Sequence, residues 1–88
     1  MDLQKDQWLI VQASTKAGSK IHQINNLLSI YSTSFQCLEY DPTDQNIQAI
    51  FNDTETTLRI FVNTGTVRNH DFQALKDRAE ILHSKLRP

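Results

Sequence analysis

The sequence predicts an α+β fold, in which a small antiparallel β-sheet carries two helices on one face. Three observations lead to this prediction: a regular apolar stripe near the C-terminus, three short apolar segments in the middle of the chain, and turn-forming residues between those segments. The predicted order is β-α-β-β-β-α. With 88 residues and no linker-like stretch, the chain is expected to be a single domain over residues 1–88.

The C-terminal segment shows the clearest helical pattern. Its apolar residues recur at spacings of three, four, three and four, and they are Phe72, Leu75, Ala79, Leu82 and Leu86. Such spacing places side chains on one face of a helix. We therefore predict a helix from about residue 71 to residue 85.

The middle of the chain reads as a three-strand meander. Residues 35–40, 47–51 and 57–62 each place apolar side chains at alternate positions, as strands do. The connectors 41–46 and 52–56 are short and rich in Asp, Asn, Thr and Pro, which are common turn formers. Hairpins are the expected result.

The N-terminal third allows two interpretations. Residues 19–32 have helical spacing, and the four consecutive apolar residues 8–11 favour a strand before that helix. The alternative is one long helix, weakly interrupted at Gly18, which would give α-β-β-β-α. Its stripe would contain Leu3, Ile10, Ala17, Ile21, Ile24, Leu28 and Tyr31.

Charge is unevenly distributed along the chain. The net charge is −1, yet residues 21–58 contain five acids and no Lys or Arg, whereas residues 59–88 carry an excess of bases. The acids are Glu39, Asp41, Asp44, Asp53 and Glu55. Segregated charge steers partners, so these five are predicted to form an electrostatic partner-binding set.

Apolar residues are expected on both faces of the predicted sheet. Leu38, Tyr40 and Phe61 would lie on the face away from the helices, where a second chain would cover them. The predicted function is accordingly a small non-catalytic protein–protein interaction module, such as a regulator, adaptor or assembly subunit. Its expected partner is another protein or a second copy of itself.

The alternative function is an RNA-binding or ribonucleoprotein subunit that uses the basic C-terminal helix. The contact residues would be Lys76, Arg78, Lys85 and Arg87. The overall charge of −1 makes nucleic acid the less favoured partner, because phosphate binding depends on clustered positive charge.

Motifs for catalysis, metal binding and membrane insertion are not found in the sequence. Cys37 is the only cysteine, the three histidines lack metal-binding spacing, and the longest apolar run has four residues. We therefore expect no enzymatic activity, no metal, no small-molecule cofactor and no membrane partner. A charged N-terminus and a lone cysteine favour a cytoplasmic location.

Overall fold

The computed structural model describes residues 4–86, and these form four α-helices. Helix α1 spans Gln7–Lys16, α2 spans Ile21–Tyr40, α3 spans Gln45–Thr64 and α4 spans Asn69–Leu86, with a short 3-10 turn at Gly18–Lys20 between α1 and α2. No strand occurs within residues 4–86. The predicted α+β fold is therefore wrong in both orders, β-α-β-β-β-α and α-β-β-β-α, and the fold is a helical bundle.

Helix α3 replaces two predicted strands and the turn between them. Asp44 begins it as an N-cap, because its Oδ1 accepts hydrogen bonds from the backbone N–H groups of Asn46 and Ile47 at 3.0 and 3.2 Å. The buried residues of α3 then follow a helical period straight through residues 52–56. They are Ile47, Ile50, Phe51, Thr54, Leu58, Phe61 and Val62.

Threonine hydroxyls in the middle of α3 donate hydrogen bonds to backbone carbonyls of the same helix. Thr54, Thr56 and Thr57 each donate to the carbonyl oxygen four residues earlier, at 2.7, 3.0 and 2.9 Å. Residues 52–56 therefore look like a turn in the sequence and are helical in the structure.

Helix α2 contains the first predicted helix and continues beyond it. The segment 35–40, predicted as a strand, is the last part of this helix, which ends at Tyr40 just before the turn at Asp41 and Pro42. Its buried residues keep helical spacing, and they are Ile24, Leu27, Ile30, Tyr31, Ser34, Cys37 and Leu38. Alternation over six residues was too short a pattern to reveal this longer period.

The predicted N-terminal strand is also helical. Asp6 caps α1 by accepting from the N–H of Leu9 at 3.1 Å. The alternative interpretation correctly placed helix on both sides of Gly18. The interruption is stronger than expected, because Gly18 has a φ of +52° and separates α1 from α2.

The C-terminal helix is confirmed. Gly65 ends α3 in the left-handed conformation, with φ +76°, and its N–H donates to the carbonyl of Phe61 at 2.7 Å. Helix α4 then buries Phe72, Leu75, Ala79 and Leu82, which are members of the predicted stripe.

Helices α2 and α3 form an antiparallel pair that carries the other two helices. The rings of Tyr31 and Phe51 stack with centroids 4.7 Å apart at the centre of the pair. Both α1 and α4 pack on α2 and α3. Helix α4 runs antiparallel to α3, and α1 runs in the same direction as α3.

None of the helices in the described part of the chain is long and apolar enough to cross a membrane.

Candidate interaction surface

The outward side of α1 exposes two large apolar side chains. Trp8 and Val11 are each 58% exposed and lie three residues apart, so they are neighbours on the helix surface. Thr15 follows one turn later and is also exposed. We call these three residues the α1 outer face.

The opposite side of α1 holds the helix against the bundle. Leu9 and Ala13 are fully buried, and Ala17 is 3% exposed. Because this side is occupied by α2 and α3, the outward direction of Trp8 is fixed by the packing of α1 itself. The outward direction of the α1 outer face therefore follows from the fold.

The α1 outer face itself carries no charge, and charged groups lie at its two ends, the Asp6–Arg59 pair before Trp8 and Lys16 after Thr15. Helix α1 contains no acid, and its only base is Lys16, whose Nζ donates to the backbone carbonyl of Val62 at 3.1 Å. Exposed Gln7 and Ser14 and half-buried Gln12 are the other polar neighbours on the helix. An apolar centre with a polar rim resembles the anatomy of protein–protein contacts, where Trp is enriched among the residues that dominate binding.

A polar network fixes the N-terminus of α1, and we call it the Asp6 anchor. The N–H of Asp6 donates to the Tyr31 hydroxyl at 3.0 Å, and that hydroxyl donates to Oε2 of Glu55 at 2.6 Å. Arg59 donates to Oδ2 of Asp6 at 2.8 Å and lies 3.6 Å from the carboxylate of Glu55. The anchor thus joins α1 to both central helices.

The protonation states in the Asp6 anchor follow from these contacts. Burial, together with the hydrogen bond to Glu55, raises the pKa of Tyr31 well above its usual value. The hydrogen bond from the Leu9 N–H, with help from Arg59, lowers the pKa of Asp6. At neutral pH the network therefore contains a neutral phenol, an ionised Asp6 and a guanidinium.

Three of the five predicted acidic site residues pair with bases of the same chain, and a fourth, Asp41, accepts from the Thr43 hydroxyl at 3.0 Å. Asp44 caps α3 and lies 3.2 Å from Nζ of Lys85, and Asp53 accepts from Arg78 at 2.7 Å. Glu55 belongs to the Asp6 anchor. Glu39 and Asp41 are exposed around the end of α2.

The structure does not bring the three predicted apolar site residues together on a surface. Leu38 and Phe61 are 4% and 1% exposed and belong to the core, whereas Tyr40 is 83% exposed at the end of α2. They were expected to share a sheet face, and no sheet exists within residues 4–86.

The predicted basic set is dispersed along α4. Arg78 and Lys85 pair with acids of the α2–α3 pair or its connecting turn, and Lys76 lies with its Nζ 5.4 Å from the centre of the Phe72 ring. Arg87, the fourth predicted contact, lies outside the described residues.

Features expected of a catalytic or metal centre are scarce in residues 4–86. The Cys37 thiol is buried, lies 3.9 Å from the carbonyl of Leu82, and has its pKa raised by burial and by Asp44. No group of metal-binding side chains occurs in this part of the chain, and each of its buried side-chain nitrogen and oxygen atoms has a hydrogen-bond partner.

A shallow groove lies between the end of α3 and the start of α4. It has a volume of about 230 Å³ and is lined by Thr57, Ile60, Thr64, Thr66, Val67, Arg68 and Asp71. Its polar side chains bind one another, because Thr64 and Thr66 share a hydrogen bond at 2.9 Å and Arg68 pairs with Asp71 at 2.8 Å.

The α1 outer face was missed in the sequence, although a signal for it was present. Successive residues of a helix are turned by about 100°, so four consecutive apolar residues cannot all face one core. If residues 8–11 are helical, some of them must be exposed.

Comparisons with protein-family models, with curated proteins and with solved structures gave no match.

Proposed function

We propose that the protein is a non-catalytic protein–protein interaction module that binds its partner through the α1 outer face. The observation that carries this proposal is the 58% exposure of both Trp8 and Val11 on one uncharged helix side. Leaving a tryptophan in water is costly when its area could be buried, and contiguous exposed apolar residues mark interaction sites.

The partner chemistry follows from the missing charge. A surface without ionised groups gains little from an acidic or basic partner, so we propose a protein that offers an apolar pocket with neutral hydrogen-bonding groups around it. This replaces the electrostatic set as the main contact, since Asp44, Asp53 and Glu55 already have partners within the chain. The roles proposed remain those of a regulator, an adaptor or an assembly subunit.

A cytoplasmic location is part of this proposal. It is supported by the single cysteine of the chain, Cys37, which is free and buried.

RNA binding through α4 receives less support than protein binding. Arg78 and Lys85 are engaged in ion pairs at 2.7 and 3.2 Å, and both would have to exchange a carboxylate for a phosphate. Electrophoretic shift assays with structured RNA at low salt test this alternative, and binding that is lost in Lys76→Ala would support it.

Site-specific photo-crosslinking tests the proposed contact surface. A photoreactive amino acid at position 8 or 11 should capture a defined partner in cells, whereas the same group at Ile60, which is 50% exposed on α3, should not. Equal capture from all three positions would contradict the proposal.

Binding measurements with the captured and purified partner provide the second step. Trp8 is the only tryptophan, so its fluorescence should shift to shorter wavelength when the partner covers it. Trp8→Ala should weaken binding by about tenfold or more, as central tryptophans do at interfaces. Ile60→Ala is the matched control, and unchanged affinity in both Trp8→Ala and Val11→Ala would refute the proposed surface.

A further inference from the structure

The connection between α1 and α2 is a short 3-10 turn, Gly18–Lys20, with a left-handed glycine at its start. Ala17 (φ −59°, ψ −45°) and Ile21 (φ −55°, ψ −38°) keep right-handed helical values. Gly18 has φ +52°, and Lys20 (φ −95°, ψ 17°) departs only moderately. Glycine populates both hands of the backbone readily, so this turn has a low-energy alternative in which the chain continues as helix.

One run of apolar residues keeps helical spacing across this connection. Its α2 members are the buried Ile24 and Tyr31, the half-buried Leu28 and Phe35, and Ile21, which is 38% exposed. Eight apolar residues from α1 to α2 follow one another along the chain at spacings of four, four, four, three, four, three and four. They are Leu9, Ala13, Ala17, Ile21, Ile24, Leu28, Tyr31 and Phe35. On a straight helix, this spacing places all eight on one side. A straight α1–α2 helix would therefore be amphipathic along its whole length.

A second copy of the chain offers the surface of α2 and α3 on which a straightened α1 could pack. We propose that the protein forms a domain-swapped homodimer, in which Gly18 becomes right-handed and each α1 packs on the α2–α3 pair of the other copy. Domain swapping uses contacts that already exist in the monomer and is a low-cost route to dimers.

The contacts of α1 can all be remade between copies. Burial of Leu9 and Ala13, the Asp6–Arg59 ion pair and the hydrogen bond from Lys16 to the carbonyl of Val62 each join α1 to α2 or α3. Monomer and dimer therefore differ chiefly in the connection at Gly18.

The swap is independent of the partner surface proposed above. It uses the buried side of α1 and the connection to α2, whereas the partner surface is the α1 outer face. Either proposal can fail without the other.

Replacement of the glycine biases the connection towards the straight form. An alanine Cβ at position 18 would meet no atom within 4 Å, so Gly18→Ala adds no clash and acts only through the backbone. Left-handed alanine is disfavoured by roughly tenfold, and alanine also favours the helix. Because both chains of a dimer straighten, the dimerisation constant should rise by about a hundredfold.

Gly65→Ala is the matched control. Gly65 has φ +76° and equally open space around its Cα, but it ends α3 and is followed by three non-helical residues, so one residue cannot straighten that connection. Size-exclusion chromatography with light scattering should show Gly18→Ala at twice the 10.1 kDa monomer mass at concentrations where Gly65→Ala and wild type are monomeric. A Gly18→Ala chain that stays monomeric, with or without loss of helical circular dichroism, would overturn the proposal.

Charge complementation distinguishes a swapped dimer from a side-by-side one. In the Gly18→Ala background, Asp6→Lys and Arg59→Glu each break the anchor pair within a chain and within a homodimer. A swapped heterodimer of the two variants restores opposite charges at both α1 sites. Mixing them should therefore give heterodimers above the random proportion, and a random proportion would show that α1 is not exchanged.

Discussion

At the residue scale, the Tyr31 hydroxyl links α2 to the N-terminus of α1 and to α3 by two hydrogen bonds. It accepts from the Asp6 N–H and donates to Glu55, while its ring stacks on Phe51. Tyr31→Phe keeps the stacked ring and leaves both polar groups without this partner. We expect the free energy of unfolding to fall by about 1–3 kcal/mol, which urea denaturation can measure.

Tyr40→Phe is the matched control for this substitution. Tyr40 is 83% exposed, so the loss of its hydroxyl should change the unfolding midpoint very little. If both variants unfold at the wild-type urea concentration, the Tyr31 hydroxyl contributes nothing to stability.

Asp44 gives the fold a predictable response to acid. Its hydrogen bonds from the Ile47 N–H and from Lys85 lower its pKa below the ordinary value of 3.8. A lowered folded-state pKa stabilises the fold above the unfolded-state pKa, and this contribution is lost as the pH falls through the folded-state value. Wild-type melting temperature should therefore decline below about pH 4.

Asp44→Asn separates capping from titration. Asparagine still caps a helix but carries no charge, so the melting temperature of this variant should be lower at neutral pH and should depend less on pH in the acid range. Asp41→Asn removes an acid from the same turn without removing a cap. An unchanged acid profile in Asp44→Asn would show that another carboxyl group controls the acid response.

At the element scale, α3 shows why the fold was only partly predictable. The α4 stripe contains only isolated turn formers, Asp77 and Ser84, so a local window revealed a helix. In α3 the helical period is equally regular, but Asn52, Asp53 and Thr54 interrupt its apolar composition at the centre. Asp53 meets Arg78, a partner 25 residues away that local patterns do not reveal, whereas the buried Thr54 hydroxyl donates to the Ile50 carbonyl of its own helix.

The candidate site, like the fold, could be predicted only in part from the sequence. The sequence drew attention to the acids of residues 21–58, yet it could not show that Asp44 and Asp53 would meet bases of α4. It also contained the run of apolar residues at 8–11, whose exposure follows once α1 is known to be helical. The type of element had to be correct before the exposed residues could be identified.

A proline in the middle of α3 tests whether residues 52–56 are helical. Thr56 is exposed, so Thr56→Pro loses little packing, but it breaks the backbone hydrogen bond to Asn52 and clashes with the preceding turn. We expect a destabilisation of about 3 kcal/mol or more, measured by urea denaturation with circular dichroism.

Gln45→Pro is the control with the same substitution in the same helix. Position 45 is the first residue of α3, where the N–H has no helical partner, and Asp44 already has the extended conformation (φ −71°, ψ 107°) that precedes proline. This variant should retain nearly full stability. If Thr56→Pro were tolerated as well, residues 52–56 would be a turn.

At the scale of the whole molecule, the charge asymmetry is largely resolved inside one chain. Because α3 and α4 are antiparallel, the acidic middle segment lies along the basic C-terminal segment, and Asp53–Arg78 and Asp44–Lys85 are the resulting pairs. The Asp53–Arg78 pair is exposed at both side chains and is therefore worth only about 0–1 kcal/mol, whereas the Asp44 side chain of the other pair is 12% exposed.

Helix α1 is expected to be the least stable part of the bundle. Its ten residues fall short of the ~12–15 at which isolated helices become even marginally stable. Three buried residues attach this segment to the bundle, and two of them are small: Ala13, and Ala17 just after the helix. Native-state hydrogen exchange should show α1 amides opening with a lower free energy than those of α2 and α3, and with less dependence on denaturant, because little surface is exposed. The Tyr31→Phe variant should widen this gap by weakening the Asp6 anchor. If α1 amides exchange only through global unfolding in both proteins, α1 is an integral part of the cooperative core. The swap at Gly18 depends on the separate release of α1, and that release would then require unfolding of the whole chain.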